Sequence, residues 1–234
     1  MNEHHAPLDA MSPGFHEEMA QAKVVRVARS CLFEDAFKQV MRLPDPGRVR
    51  INVEFINEFG LNESGMDYGA MFKEFALKVC EAAFNPETGL FKLTEVEKQL
   101  YPNPESEAIV GSSHLERFYF SGLMLAKAVQ QGVMVNVFFA RFFLMKLVLR
   151  PALLDDVESL DPAIYKHLSF LRGCEDVEAL CLNFTYTQDL ELTTGEKKEI
   201  ELIPRGREID VTDKNRFKYI YLVSNYLLNR RIKA

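Results

Sequence analysis

Apolar residues recur along this chain at mostly helical spacing, broken by a few stretches that alternate. A helix is expected from about Phe15 to Ser30, and a second from Leu32 to Leu43, stopped by "PDPG". Ile51, Val53 and Phe55 then alternate with Asn52 and Glu54, which predicts a half-buried strand. A Gly-spaced loop leads to a helix from Tyr68 to Phe84 with Asp67 as its N-cap. Residues 85–111 are turn-rich ("NPETG", "YPNPES") and predict irregular chain with one short strand at "LFKLT". Ser113 and Glu116 form an S-x-x-E capping box before a long helix, whose apolar face would run through Leu115, Phe118, Gly122, Leu125, Ala126 and Val129. Gly132 is its stop, and Asn136 is expected to begin another helix, rich in Phe.

After Pro151 the texture changes. Short helices at "LDDVESL" and "DPAIYKHLSFL" precede a strand-like "LCLNFTYT", a "TTGE" turn and a second strand at "KKEIELI". The last helix, Phe217 to Ile232, is apolar on two sides. Tyr219, Leu222 and Tyr226 form one i, i+3, i+7 series, and Ile220, Val223 and Leu227 form another. The chain therefore divides into a partly loose extension at 1–24, a large helical part at 25–150, a smaller α+β sub-lobe at 151–212 and a final helix at 213–234. The fold class is mainly α with small β elements.

Composition narrows the function classes. A net charge of −6 argues against nucleic acid, which rewards a basic surface. The longest apolar run, "VMVNVFFARFFLMKLVLR", is broken by Asn136, Arg141 and Lys146, so no membrane span is expected. The four cysteines lack CxxC spacing, which favours free thiols in a reducing, intracellular setting, cytoplasmic or nuclear. The five histidines do not cluster, and His4–His5 has no nearby thiol or carboxylate to complete a metal site. Gly60, Gly65 and Gly69 fit no phosphate-loop pattern, and Asp155–Asp156 suits a helix start better than an acid–base pair. None of the thiols has the setting of a nucleophile. Cys80 lies on an apolar helix face, Cys181 beside a strand, Cys174 next to Glu175 and Asp176, and Cys31 a turn from Glu34 and Asp35.

One ordered series of segments goes further. "INVEFINEFGLNESGMDYGAMFKEF", "NPETGLFKLT", "HLERFYFSGLMLAKAVQQGVMVNVFFARFFLMKL", "SLDPAIYKHLSFL", "LNFTY", "ELIPRGREIDVTDKN" and "YIYLVSNYLLNRRI" together resemble the HECT-type ubiquitin ligase domain over roughly residues 25–234. "LYPNP", "SLDP" and "LNFT" are most similar to the proteasome-associated branch of that family. The resemblance covers the N-terminal lobe. The second lobe, with its acceptor cysteine in a Thr-Cys motif, has no counterpart in this sequence.

The resemblance implies that the small sub-lobe docks a ubiquitin-conjugating enzyme, through the positions Ile164, Leu168, Leu182, Tyr219 and Val223. From the residues alone, the same five also suit plain sub-lobe core. The family carries aromatics near Cys174 and at Val223, so a shallower groove is implied here. Other implied partners are ubiquitin, substrates recognised by regions outside this chain, and the proteasome. No cofactor, metal, nucleic acid or membrane is implied. The parent would be a ubiquitin transferase working by two thioester steps, with this chain inactive alone because the lobe bearing the acceptor cysteine is missing. The alternative is a non-catalytic fragment that sequesters a conjugating enzyme or a partner ligase.

Overall fold

The computed structural model describes residues 22–63, 68–189 and 197–232. The early part of the first expected helix, the Asp67 cap and the "TTGE" turn lie outside them. In chain order the elements are β1 (Lys23–Ala28), α1 (Leu32–Val40), β2 (Ile51–Ile56), α2 (Tyr68–Ala83), β3 (Phe91–Leu93), β4 (Leu100–Pro102), α3 (Ser106–Val110) and α4 (His114–Gln130). They continue with α5 (Arg141–Leu147), α6 (Val157–Leu160), α7 (Pro162–Gly173), β5 (Thr185–Asp189), β6 (Lys197–Glu201) and α8 (Arg216–Asn225). Short 3-10 turns join some of these. The chain is mainly helical, with three two-stranded sheets among the described residues. It divides into two compact units, residues 1–88 with 113–136, and residues 89–112 with 137–234.

In the first unit β1 and β2 pair in parallel, from Lys23 opposite Ile51 to Ala28 opposite Ile56. The strand β1 corrects the expected helix from Phe15 to Ser30. "KVVRVA" places Val25 and Val27 on one buried face, as β-branched residues at a two-residue period favour. Side chains of α1 satisfy its backbone: the Arg26 N–H donates to Gln39 Oε1 (3.0 Å) and the Ala28 N–H to Asp35 Oδ2 (3.0 Å). The alternation in β2 holds, with Ile51, Val53 and Phe55 buried.

The long helix α4 forms, but not on the expected face. Its buried stripe is Phe120, Ser121, Met124, Lys127 and Ala128, whereas Leu115 and Val129 are 46% and 67% exposed. Counting apolar letters missed this because two buried members are polar and locally satisfied. Ser121 Oγ donates to the Arg117 carbonyl (2.7 Å), and Lys127 Nζ donates to the carbonyls of Gly47 (3.2 Å) and Val49 (2.9 Å). The expected capping box is also absent: Ser113 makes no cap bond and its hydroxyl accepts from Arg117 Nε at 3.3 Å. The helix stops at Gly132 as expected. Gly132 takes φ +67°, with Gly132 N–H bonded to Val129 and Val133 N–H to Ala128, the two bonds of a Schellman end.

In the second unit β3 and β4 form a hairpin, and α3 follows, so 89–112 is more regular than its turns predict. The helix expected from Asn136 begins only at Arg141. Phe138 and Ala140 instead bond to both backbone groups of Leu100, at 2.7 and 2.9 Å, which holds this stretch extended beside β4. Later, β5 starts at Thr185 rather than Leu180, because Glu178–Leu180 is a 3-10 turn and Cys181 adopts φ +49°. The helix α8 passes at Tyr226–Arg230 into a π-helical turn. One core, including Phe142, Leu168, Leu171, Val177, Phe184, Val211, Val223 and Leu228, underlies the unit.

Phe184 sits at the centre of a backbone knot in that core. Its N–H is shared between the carbonyls of Gly206 (3.0 Å) and Ile209 (3.1 Å), and its carbonyl accepts from Leu202 (2.9 Å). A Cβ on Gly206 would lie 2.3 Å from the Phe184 carbonyl oxygen, a backbone atom that cannot swing aside. Gly206→Ala is therefore expected to destabilise the chain by at least about 2 kcal/mol, as overpacking does. Urea unfolding checks this, and a midpoint equal to that of the parent chain would refute it.

Candidate functional site

The groove begins with the local chemistry of "DPAIYKHLSFLRG". Asp161 caps α7, accepting from the N–H groups of Ala163 (3.0 Å) and Ile164 (2.9 Å), with Pro162 preset for the first turn. The cap fixes the helix phase. Leu168 and Leu171 then face the core, Ile164 is half-buried beside them, and His167 and Phe170 project to solvent.

The facing wall comes from α8 and the segment before β5. Leu182 is held by its carbonyl, which accepts from Val211 N–H at 2.8 Å. The Tyr219 ring meets Phe184 edge-on, with centroids 5.7 Å apart and an interplanar angle of 90°. Its hydroxyl reaches the Thr185 carbonyl at 3.5 Å, and burial pushes the phenol above its ordinary pKa. It is thus an uncharged, oriented wall at neutral pH. Tyr226, one turn beyond Val223, is tied to Gln188 Oε1 at 2.8 Å and packs on Tyr186, whose ring centroid is 5.4 Å away.

Between these walls lies an apolar groove of about 380 Å³. All five of the positions singled out from the sequence line it, but not in equal roles. Leu168 and Val223, 3% and 2% exposed, form its floor and belong to the core. Ile164, Leu182 and Tyr219 are half-buried and form its sides. Sequence reasoning missed His167, Phe170, Leu171, Leu180 and Tyr186, which line the same groove. Phe170 was detectable: with positions 164, 168 and 171 already on the inward stripe, a residue one place before Leu171 turns about 100° away. It is 61% exposed, a large aromatic at the rim of an apolar hollow.

Comparison with known proteins gives this geometry a context. Residues 77–234 match the family model of the HECT-domain (ubiquitin-transferase). The chain belongs to the HECT family. Among curated proteins it is 42% identical over 210 residues to the E3 ubiquitin-protein ligase UPL6 of Arabidopsis thaliana, covering 89% of this chain and 20% of that protein. It is 34% identical over 216 residues to the human Ubiquitin-protein ligase E3B, covering 89% of this chain and 20% of that protein. The E3 ubiquitin-protein ligase etc-1 of Caenorhabditis elegans is 33% identical over 222 residues, which cover 90% of this chain and 22% of that protein. The chain thus spans about a fifth of the length of these relatives.

In a HECT chain every thiol invites scrutiny as an acceptor. Cys80 is buried in α2, as its helical spacing predicts, and burial above all pushes its pKa up to about 12, with Glu81 adding to the effect. Cys31 and Cys181 are exposed, so Cys181 is not packed as its strand-like neighbourhood suggested. Cys174 ends α7 half-buried, with its thiol donating to the Asp176 carbonyl (3.4 Å). Alkylation with iodoacetamide at pH 8 is expected to label Cys31 and Cys181 and to spare Cys80 until denaturant is added. Mass spectrometry of the native protein checks this, and early labelling of Cys80 would contradict its placement.

Proposed function

We propose that this chain is the N-terminal lobe of a HECT-type ubiquitin ligase and that its apolar groove docks a ubiquitin-conjugating enzyme. The observation that supports this is the convergence of Ile164, Leu168, Leu182, Tyr219 and Val223 on one groove, with half-buried sides and an exposed aromatic on the rim. A groove of this kind suits an aromatic or aliphatic anchor from a partner loop, where the floor supplies shape and the sides supply contact. The departures at Cys174 and Val223 leave a shallower hollow, which selects among conjugating enzymes rather than accepting all. The reaction takes place inside the cell, in the cytoplasm or nucleus, with protein substrates recruited by other regions of the ligase.

In the parent reaction ubiquitin passes from the thioester on the conjugating enzyme to a cysteine of a C-terminal lobe, releasing the first thiol. A substrate lysine amine then attacks the second thioester and forms an amide. The groove's part is to position the first thioester, since effective concentration drives such exchange. This chain supplies the dock and not the acceptor thiol.

Binding to a panel of conjugating enzymes, measured by calorimetry, tests the dock. Ile164→Asp places a charge on a half-buried side of the groove, and Phe170→Ala removes the exposed rim aromatic. Each is expected to weaken binding by about tenfold or more, with circular dichroism unchanged. Undiminished binding by both variants would sink the assignment. Incubation of the chain with ubiquitin-charged conjugating enzyme is separately expected to give no reductant-sensitive ubiquitin adduct. An adduct on Cys31, Cys80, Cys174 or Cys181 would overturn the division of labour proposed here.

A further inference from the structure

We propose that the pocket at the start of β2, bounded by the first turn of α2 and the last turn of α4, binds a small phosphate-bearing anion. It lies wholly within the first unit and encloses about 370 Å³, the lower end of the range for small-molecule sites. Its polar lining is Arg48, Arg50, Lys127, Asn52, Gln130 and Gln131. Three cationic side chains and three amides therefore face one hollow, and no carboxylate stands among its described lining residues. In a chain with a net charge of −6 this local excess of positive charge is opposite to the molecule as a whole.

Lys127 carries the inference furthest. It is 7% exposed, and its ammonium donates to the carbonyls of Gly47 and Val49. Two dipoles thus hold two of its three N–H bonds, and among the described residues no ion pair includes it. Asp45, the acid that opposes the effect of burial on Lys127, is itself paired with Arg48 at 3.6 Å. A buried cation without a counter-anion is costly, and cores that keep one satisfy it from elsewhere. An anion in the adjoining pocket does so. Arg48 and Arg50 offer the forked donors that match phosphate oxygens, and the amides of Asn52, Gln130 and Gln131 offer further N–H groups. Gly69, in the first turn of the sixteen-residue α2, brings the positive end of that helix to the same wall without a side chain.

Phosphate could arrive on a free small molecule or on a phosphorylated side chain. Two probes separate these sources: inorganic pyrophosphate and a phosphoserine peptide, each titrated into the full chain by NMR at constant ionic strength set with chloride. At least one is expected to bind saturably and to shift amides at 48–52, 69–72 and 127–131. Tighter pyrophosphate binding identifies a free anion, and tighter peptide binding identifies a protein-borne one. The double variant Arg48→Ser, Arg50→Ser is expected to bind more than tenfold more weakly, and Lys127→Met to lose the rise in melting temperature that the bound probe gives the parent chain. If neither probe binds above the chloride control, or the double arginine variant binds as well as the parent, the proposal is wrong.

Discussion

The buried backbone of Phe184 is the constraint on which the groove depends. Its N–H and carbonyl are bonded to Gly206, Ile209 and Leu202, which gathers three separate stretches of chain around one fully buried ring. Backbone groups buried away from water must find partners, so this knot leaves little freedom in where each stretch can run. The Tyr219 ring then packs against Phe184, and Leu182, two residues earlier, is fixed by Val211. One wall of the groove is thereby set by hydrogen bonds that lie beneath it rather than by its own side chains.

The other wall depends on a cap. Asp161 fixes the phase of α7, and the phase decides that Leu168 and Leu171 go inward while Ile164 is left at the side and Phe170 at the rim. A hydrophobic hollow is stable open to solvent only if its floor is already paid for by core packing, as it is here by Leu168 and Val223. This explains why residues of the same chemical type in one groove have different consequences. The floor residues belong to folding, and the side and rim residues are available to a partner.

The first unit shows the same economy with polar groups. Its sheet has two strands, and Gln39 and Asp35 of α1 complete the backbone bonding of β1. Arg29 reaches both Glu63 (2.8 Å) and Glu74 (2.6 Å) while its guanidinium lies 4.2 Å from the Phe55 ring centre, tying strand, loop and helix at one point. Those ion pairs are largely exposed, so they fix geometry more than they add stability. Lys127 is the buried counterpart, and its position ties α4 to the turn before β2.

Local pattern made much of this legible. The alternation of β2, the "DP" start of α7, the Gly132 stop and the inward spacing of Cys80 all follow from rules that act within a few residues, and each appears in the structure. The ordered motifs made the HECT family legible, and the five positions they pointed to do meet in one groove. What failed was every inference that required knowing a distant partner. "KVVRVA" pairs with β2 and not with itself, residues 137–140 are held extended by Leu100, and α4 turns inward a face containing Ser121 and Lys127. By itself the sequence determined the class of fold, the helix caps and the identity of the groove residues, because propensity and spacing are local. Only the tertiary structure decided which face of each helix is buried and which groove residues stay open, because burial depends on hydrogen-bond partners supplied from elsewhere in the chain.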